Sequence, residues 1–183
     1  MALFLNYIAV LLLLPFHTRE QDRGEDLIDW NANRKLTWAD YKGRPDPASD
    51  AAASTTTYLA IEYKIGSGSF GYKIQSRFSR TRSWGLHKTD YILSHEQGHF
   101  DIAEIYARKL HREMSEYRFD RKSFQKDLKK IYDDVTTEKE EMQDRYDRET
   151  RHSINKTKQA EWLEKIADLL EEYKDYADYK EKN

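Results

Sequence analysis

Five consecutive residues, His95-Glu96-Gln97-Gly98-His99, match the H-E-x-x-H pattern that is typical of zinc metallopeptidases. On an α-helix, positions i and i+4 lie one turn apart on the same face. His95 and His99 can therefore direct their imidazoles at one metal ion, and zinc is the metal that these donors fit best. Glu96 lies beside them and is placed to accept a proton from a water molecule at the metal. The motif predicts a zinc site with Glu96 as the general base of a hydrolase.

A catalytic zinc site needs a third protein ligand, and the motif itself supplies only two. One class of metallopeptidases extends the motif with Gly and His, but this chain has Ile102 and Ile105 at those positions. His111 lies about 24 Å further along the helix, which is out of reach. We favour His152, because an antiparallel second helix would return it toward the motif. His87, Asp147 and Glu149 also stay open as third ligands.

A hydrolase of this kind also needs a donor for the oxyanion and a group that orients the zinc-bound histidines. Tyr146 is our candidate for the oxyanion donor, because a tyrosine near the third ligand could reach the site. Tyr146 could equally be the last core residue of the second helix. Asp101 and Asp147 are the acidic candidates for holding the second N–H of a histidine ligand.

The composition excludes several classes of function. The 183 residues suit one domain, and the absence of Cys rules out disulfides, Cys-ligated zinc and thiol nucleophiles. A net charge of −2 gives no basic surface of the kind that nucleic acid requires. The aromatic fraction of 13% is too high for a disordered chain.

The N-terminal segment is apolar and predicts export. From Leu3 to Phe16 the chain is almost unbroken apolar sequence, which at about 14 residues is too short to span a membrane. A polar stretch follows, as in a signal peptide, although no Lys or Arg precedes the run and no A-x-A site follows it. A buried N-terminal helix or strand is the alternative. We predict a signal peptide at 1–18, a polar tail at 19–34 and one domain at 35–183, exported to the periplasm or the medium, with no membrane span after signal removal.

The pattern of apolar residues changes once along the domain. Alternation predicts a β-hairpin over residues 56–78, with a Gly/Ser loop at its tip. After Thr89, a plausible helix N-cap, the period becomes helical and predicts helices at about 90–116, 122–146 and 157–179. The predicted fold class is α+β, with a small antiparallel sheet packed on a C-terminal three-helix half that carries the H-E-x-x-H helix.

The motif helix resembles the H-E-Q-x-H-F-D core of a family of secreted bacterial proteins of unknown function that are regarded as zinc-dependent proteases. The resemblance covers roughly residues 35–167. It departs from the family pattern at Ser153, where the family usually has Gly. Three further regions carry it: Leu36-Thr37-Trp38 with Asp40 to Gly43 and Pro45-Asp46-Pro47; Ser83-Trp84; and Tyr146-Asp147 with Thr150 and His152, followed by Gln159 to Trp162.

The resemblance implies an exported, zincin-like, metal-dependent hydrolase that acts on a peptide or protein. In zincins a strand edge beside the metal helix holds the substrate in extended form, so the resemblance points to the hairpin at 56–78 for peptide binding. Two other functions stay open. One is a non-catalytic binding or structural protein of the cell envelope, and the other is a metal hydrolase of a non-peptide amide or ester.

Overall fold

The computed structural model describes residues 26–49, 51–66 and 70–179. The predicted signal peptide at 1–18 lies outside the described residues, and so does the tip of the predicted hairpin loop. Within the described part of the chain, no helix is both long enough and apolar enough to cross a membrane.

The main sheet has three antiparallel strands in the order β1-β4-β3. Strands β3 (Thr57–Ile65) and β4 (Phe70–Ser79) pair in continuous register, which confirms the predicted hairpin. Strand β1 (Leu27–Asp29) pairs with the other edge of β4 and lies in the segment that the sequence analysis assigns to the polar tail. The sheet faces the core mainly through β4, where Ile74 and Phe78 are fully buried.

A second sheet has two short strands, β2 (Ala53–Ser54) and β5 (Trp84–Gly85), which pair antiparallel. The connection after β5 leads directly to the first helix. Strand β2 contacts that helix, and this arrangement matters for the candidate site.

Helix α1 (Asp90–Glu116) begins where the sequence predicts, because the Thr89 side chain accepts a hydrogen bond of 3.2 Å from the amide of Ile92. The helix lies between the main sheet and the other two helices. As a result every residue from Gly98 to Arg108 is buried, and not only the predicted apolar stripe. One buried ion pair lies within the helix, where the Glu104 carboxylate accepts from Arg108 at 2.8 Å.

Helices α2 (Phe124–Thr150) and α3 (Lys156–Glu172) differ from the prediction at their C-terminal ends. Helix α2 continues one turn beyond Tyr146, to Thr150, before the chain turns at Arg151. Helix α3 stops at Glu172, because the chain folds back so that Tyr179 is buried against α1 and donates a hydrogen bond to Glu104. The fold is α+β, with small antiparallel sheets and three helices in the C-terminal half, as predicted.

Candidate metal centre

Helices α1 and α2 bring three potential metal ligands together. His95 and His99 lie one turn apart on α1 and both direct Nε2 toward α2. Each Nε2 atom is 3.0 Å from the same oxygen, Oδ1 of Asp147 on α2. One ligand atom from each of the three residues lies within 4.8 Å of the other two. The arrangement can therefore hold a metal ion.

The chemistry and spacing of these donors fit a transition metal. Two imidazoles and one carboxylate form a known donor set of catalytic zinc sites, although the same donors also bind other divalent metals. Tetrahedral zinc with bonds of about 2.0–2.1 Å places its ligand atoms about 3.3 Å apart. The separations of 3.0 Å between Asp147 and the two histidines need to open only slightly to reach this value.

The three groups also shift each other's protonation. Burial raises the pKa of Asp147, but hydrogen bonds from His95 and His99 outweigh it and hold that pKa well below its usual range. Burial lowers the pKa of His99, yet the hydrogen bond and charge of Asp147 raise it to about 9. For His95, burial dominates and the pKa is lowered. Without a metal, the cluster therefore binds a proton on His99, at a position that a metal ion could take.

Gln143 on α2 fixes the orientation of the His99 ring. Its Nε2 donates to the backbone carbonyl of His99 at 3.0 Å, since a carbonyl oxygen can only accept. Its Oε1 consequently faces Nδ1 of the His99 ring, so Nδ1 must be the donor in that short contact. The Nε2 lone pair of neutral His99 then points at the cluster. The sequence analysis missed Gln143, although its position four residues before Asp147 places both on one face of α2.

Tyr146 lies beneath the cluster and is fully buried. Its ring stacks on His95 with centroids 4.4 Å apart, and its hydroxyl donates to the His95 backbone carbonyl at 3.2 Å. A Cβ at Gly98 would come within 2.6 Å of this hydroxyl, which explains the glycine inside the motif. This geometry favours the core role of Tyr146, and its role as oxyanion donor stays a prediction.

His152 lies at the edge of the cluster. Its side chain is 70% exposed, and Nδ1 is 3.5 Å from Oδ1 of Asp147. Arg151, His152 and Ser153 all have left-handed backbone conformations, with φ values of 51°, 49° and 70°. Such conformations are unfavourable for residues with a Cβ, and they concentrate at functional sites. A glycine at position 153 would adopt the φ of Ser153 without this cost.

Glu149 and His87, which the sequence also allows as third ligands, do not belong to the cluster. The Glu149 carboxylate accepts a hydrogen bond of 2.8 Å from Nε1 of Trp162, so it is held toward α3. The backbone amide of His87 is bonded to the carbonyl of Ala52 at 3.0 Å, which holds this residue in the connection after β5. Asp147 and His152 therefore remain as candidates for the third ligand.

Gln97 within the motif and Asp101, two residues after it, form hydrogen bonds on the side of α1 opposite the two histidines. Gln97 accepts from the backbone amide of Leu36 at 2.8 Å and donates to Asp101 at 2.7 Å. Asp101 in turn accepts from Nε1 of Trp30 at 2.8 Å. These bonds attach residues 30–36 to the helix. Because Asp101 is engaged there, Asp147 is the acidic group that contacts the histidines.

A cavity of about 480 Å³ opens over the cluster. Residues of α1 and α2, including Glu96, form one wall, and residues 51–57 form the facing wall. Of the predicted hairpin at 56–78, only the first two residues, Thr56 and Thr57, line the cavity among the described residues. The cavity size is in the range of small-ligand sites.

The fold and the cluster define an α+β protein with a candidate metal site of two histidines and one carboxylate. The chain belongs to a bacterial family described as bacterial protein of unknown function (DUF922), whose family model matches residues 18–153. The match includes α1, α2 and the loop that carries His152, and ends before α3. No curated protein and no solved structure matches the chain.

Proposed function

We propose that this protein is an exported zinc-dependent hydrolase of peptide bonds, with Glu96 as its general base. The observation that carries the proposal is the state of Glu96. Glu96 is only 4% exposed. Its Oε2 atom is buried and has no hydrogen-bond partner within the described part of the chain. A buried acceptor left unsatisfied costs about 1–3 kcal/mol, so it is expected to receive a donor from water or substrate.

The proposed reaction assigns each residue a task. His95, His99 and Asp147 would hold zinc, with His152 as the alternative to Asp147. When bound, zinc would supply Lewis acidity, which lowers the pKa of a coordinated water to about 7. Glu96 takes the proton of the attacking water and passes it to the leaving amine. Its position in the cavity wall beside the two histidines supports this role.

A peptide substrate is supported by the wall of the cavity that faces the cluster. Strand β2 pairs with β5 on one edge, and its sheet has no further strand among the described residues. An extended peptide could add to the other edge through main-chain hydrogen bonds. The small side chains from Ala51 to Thr57 leave room for it. Export rests on the apolar segment from Leu3 to Phe16.

The test of the metal site is the zinc content of the mature protein, purified without chelator, beside the variants Asp147→Ala and His152→Ala. We expect about one zinc per chain, lost on substitution of whichever residue is the third ligand. Zinc that is retained in a His95→Ala/His99→Ala variant, or absent from the wild type after reconstitution, would contradict the site.

The test of the reaction is Glu96→Gln, which keeps the size of the side chain and removes the base. This variant should bind zinc as the wild type does and lose peptide cleavage. Cleavage that survives the substitution would contradict the role of Glu96. A wild type that binds zinc but cleaves no peptide would favour a non-catalytic binding protein or a non-peptide substrate.

A further inference from the structure

A buried lysine lines the same cavity. Lys139 lies on α2, four residues before Gln143 and eight before Asp147, on the face that carries both. Its side chain is 8% exposed. Among the described residues, it is the one lysine or arginine in the walls of this cavity.

No structural task accounts for burying this charge. Its ion pair joins Nζ to Glu140 at 2.7 Å, a neighbour on the same helix whose side chain is 64% exposed. This pair connects no two elements of the fold. By contrast, the buried Arg108 pairs with Glu104 and also donates to the backbone of Leu170, so it joins α1 to α3. Burying an ammonium group is unfavourable unless its partners compensate the lost hydration.

Among the described acidic residues that line the cavity, Glu140 is the one that pairs with this ammonium group. Glu96 and Asp147 lie beside the two histidines, where a metal ion would balance them. Glu140 and Asp144 are exposed at the rim, where water competes for them. A ligand anion that excludes water from the cavity could therefore bind Lys139 better than its exposed partner does.

We propose that Lys139 binds a carboxylate of the substrate, and this inference rests on the proposed function of the same site. Eight residues of α-helix separate Lys139 from the cluster, a rise of about 12 Å. An extended peptide advances about 3.3 Å per residue, and the lysine side chain can reach along the cavity in either direction. The carboxylate should therefore lie about two to four residues from the bond that is cleaved.

Two chemical sources could supply this carboxylate. One is the C-terminus of a short peptide, which would make the protein trim peptides near their ends. The other is an Asp or Glu side chain within a longer chain. The two sources require different peptide libraries to separate them.

The experiment uses random octapeptide libraries with a free or an amidated C-terminus, each made with or without Asp and Glu. Cleavage of each library by the zinc-loaded wild type is measured by mass spectrometry. Binding without cleavage is measured as retention of each library on the immobilised, zinc-loaded Glu96→Gln variant. Each measurement is repeated in the Lys139→Met background. Lys130→Met is the matched control, because it removes a positive charge from the exposed face of the same helix.

We expect cleavage and retention to favour the carboxylate-bearing libraries by about ten- to hundredfold, and Lys139→Met to abolish the preference. Lys130→Met should preserve it. Glu140→Gln should strengthen it, because the competing carboxylate is removed. Preference for the free C-terminus alone, or for Asp and Glu alone, supports the inference and identifies the source.

Three results would overturn the inference. The first is cleavage without a carboxylate preference, or with a preference that Lys139→Met retains, and it leaves the proposed function intact. The second is absence of both cleavage and retention. The third is a Lys139→Met protein that melts several degrees below wild type, since that would make the lysine structural. Retention that depends on Lys139 without any cleavage supports the inference and contradicts the peptidase function.

Discussion

Replacing Gly98 by alanine should destabilise the protein, although alanine is the better helix former. A Cβ at this position would lie 2.6 Å from the hydroxyl oxygen of Tyr146 and 2.9 Å and 3.0 Å from two of its ring carbons. Favourable contacts between carbon atoms need about 3.5–4.0 Å. Either the Tyr146 ring or helix α1 must therefore move.

The size of the effect follows from how firmly the ring is held. Tyr146 is fully buried, its hydroxyl is bonded to the His95 carbonyl, and its ring contacts both His95 and Trp162. We therefore take the upper end of the overpacking cost, about 3 kcal/mol. The gain in helix propensity returns about 1 kcal/mol. The net loss of about 2 kcal/mol corresponds to a fall in Tm of about 4–8 °C for a domain of this size.

The assay is thermal and urea unfolding of a double-mutant cycle. Tyr146→Phe removes the hydroxyl that makes the closest contact, so Gly98→Ala should cost at least about 1 kcal/mol less in that background. Zinc content measured on the same proteins should fall in Gly98→Ala, because a displaced ring moves His95. Refutation would be a Gly98→Ala protein as stable as the wild type or more so, which is what propensity alone predicts.

Three further predictions concern the cluster and the C-terminal segment. Gln143→Leu should weaken zinc binding by about 10–100-fold in competition with a chelator, because His99 loses its orienting partner. An unchanged affinity would contradict the orienting role of Gln143. Because the pKa of His99 without metal is about 9, the ring is protonated at pH 7 and zinc must displace that proton. The apparent affinity for zinc should therefore rise about tenfold per pH unit from pH 6 to 8, and a flat profile would disagree. Tyr179→Ala should lower the free energy of unfolding by about 3–5 kcal/mol in urea titrations, because a buried ring that bonds Glu104 is lost. A change below about 1 kcal/mol would show that this segment contributes little to the fold.

Local patterns were sufficient for most of the fold. The hairpin could be predicted because alternation is a property of neighbouring residues, and the buried face of each strand restricts the register of their pairing. The start of α1 was predictable because Thr89 caps it locally. The ends of α2 and α3 were not, because α2 stops at a left-handed loop and α3 stops where Tyr179 returns to α1. The end of α3 depends on a contact distant in sequence, and the end of α2 depends on left-handed backbone conformations at residues that rarely adopt them.

The candidate site also has one part that follows from local sequence and another that depends on the tertiary structure. The sequence by itself determined that His95, Glu96 and His99 share a helix face, because the spacing of i and i+4 is a fixed property of the α-helix. Only the tertiary structure decided that Asp147 contacts both imidazoles and that His152 lies at the edge. It also decided that Gln143 orients His99, that Tyr146 packs against Gly98, and that Lys139 lines the cavity. The contacts of Asp147, Gln143 and Tyr146 join α2 to α1, and the packing angle and depth of two helices are set by the whole core.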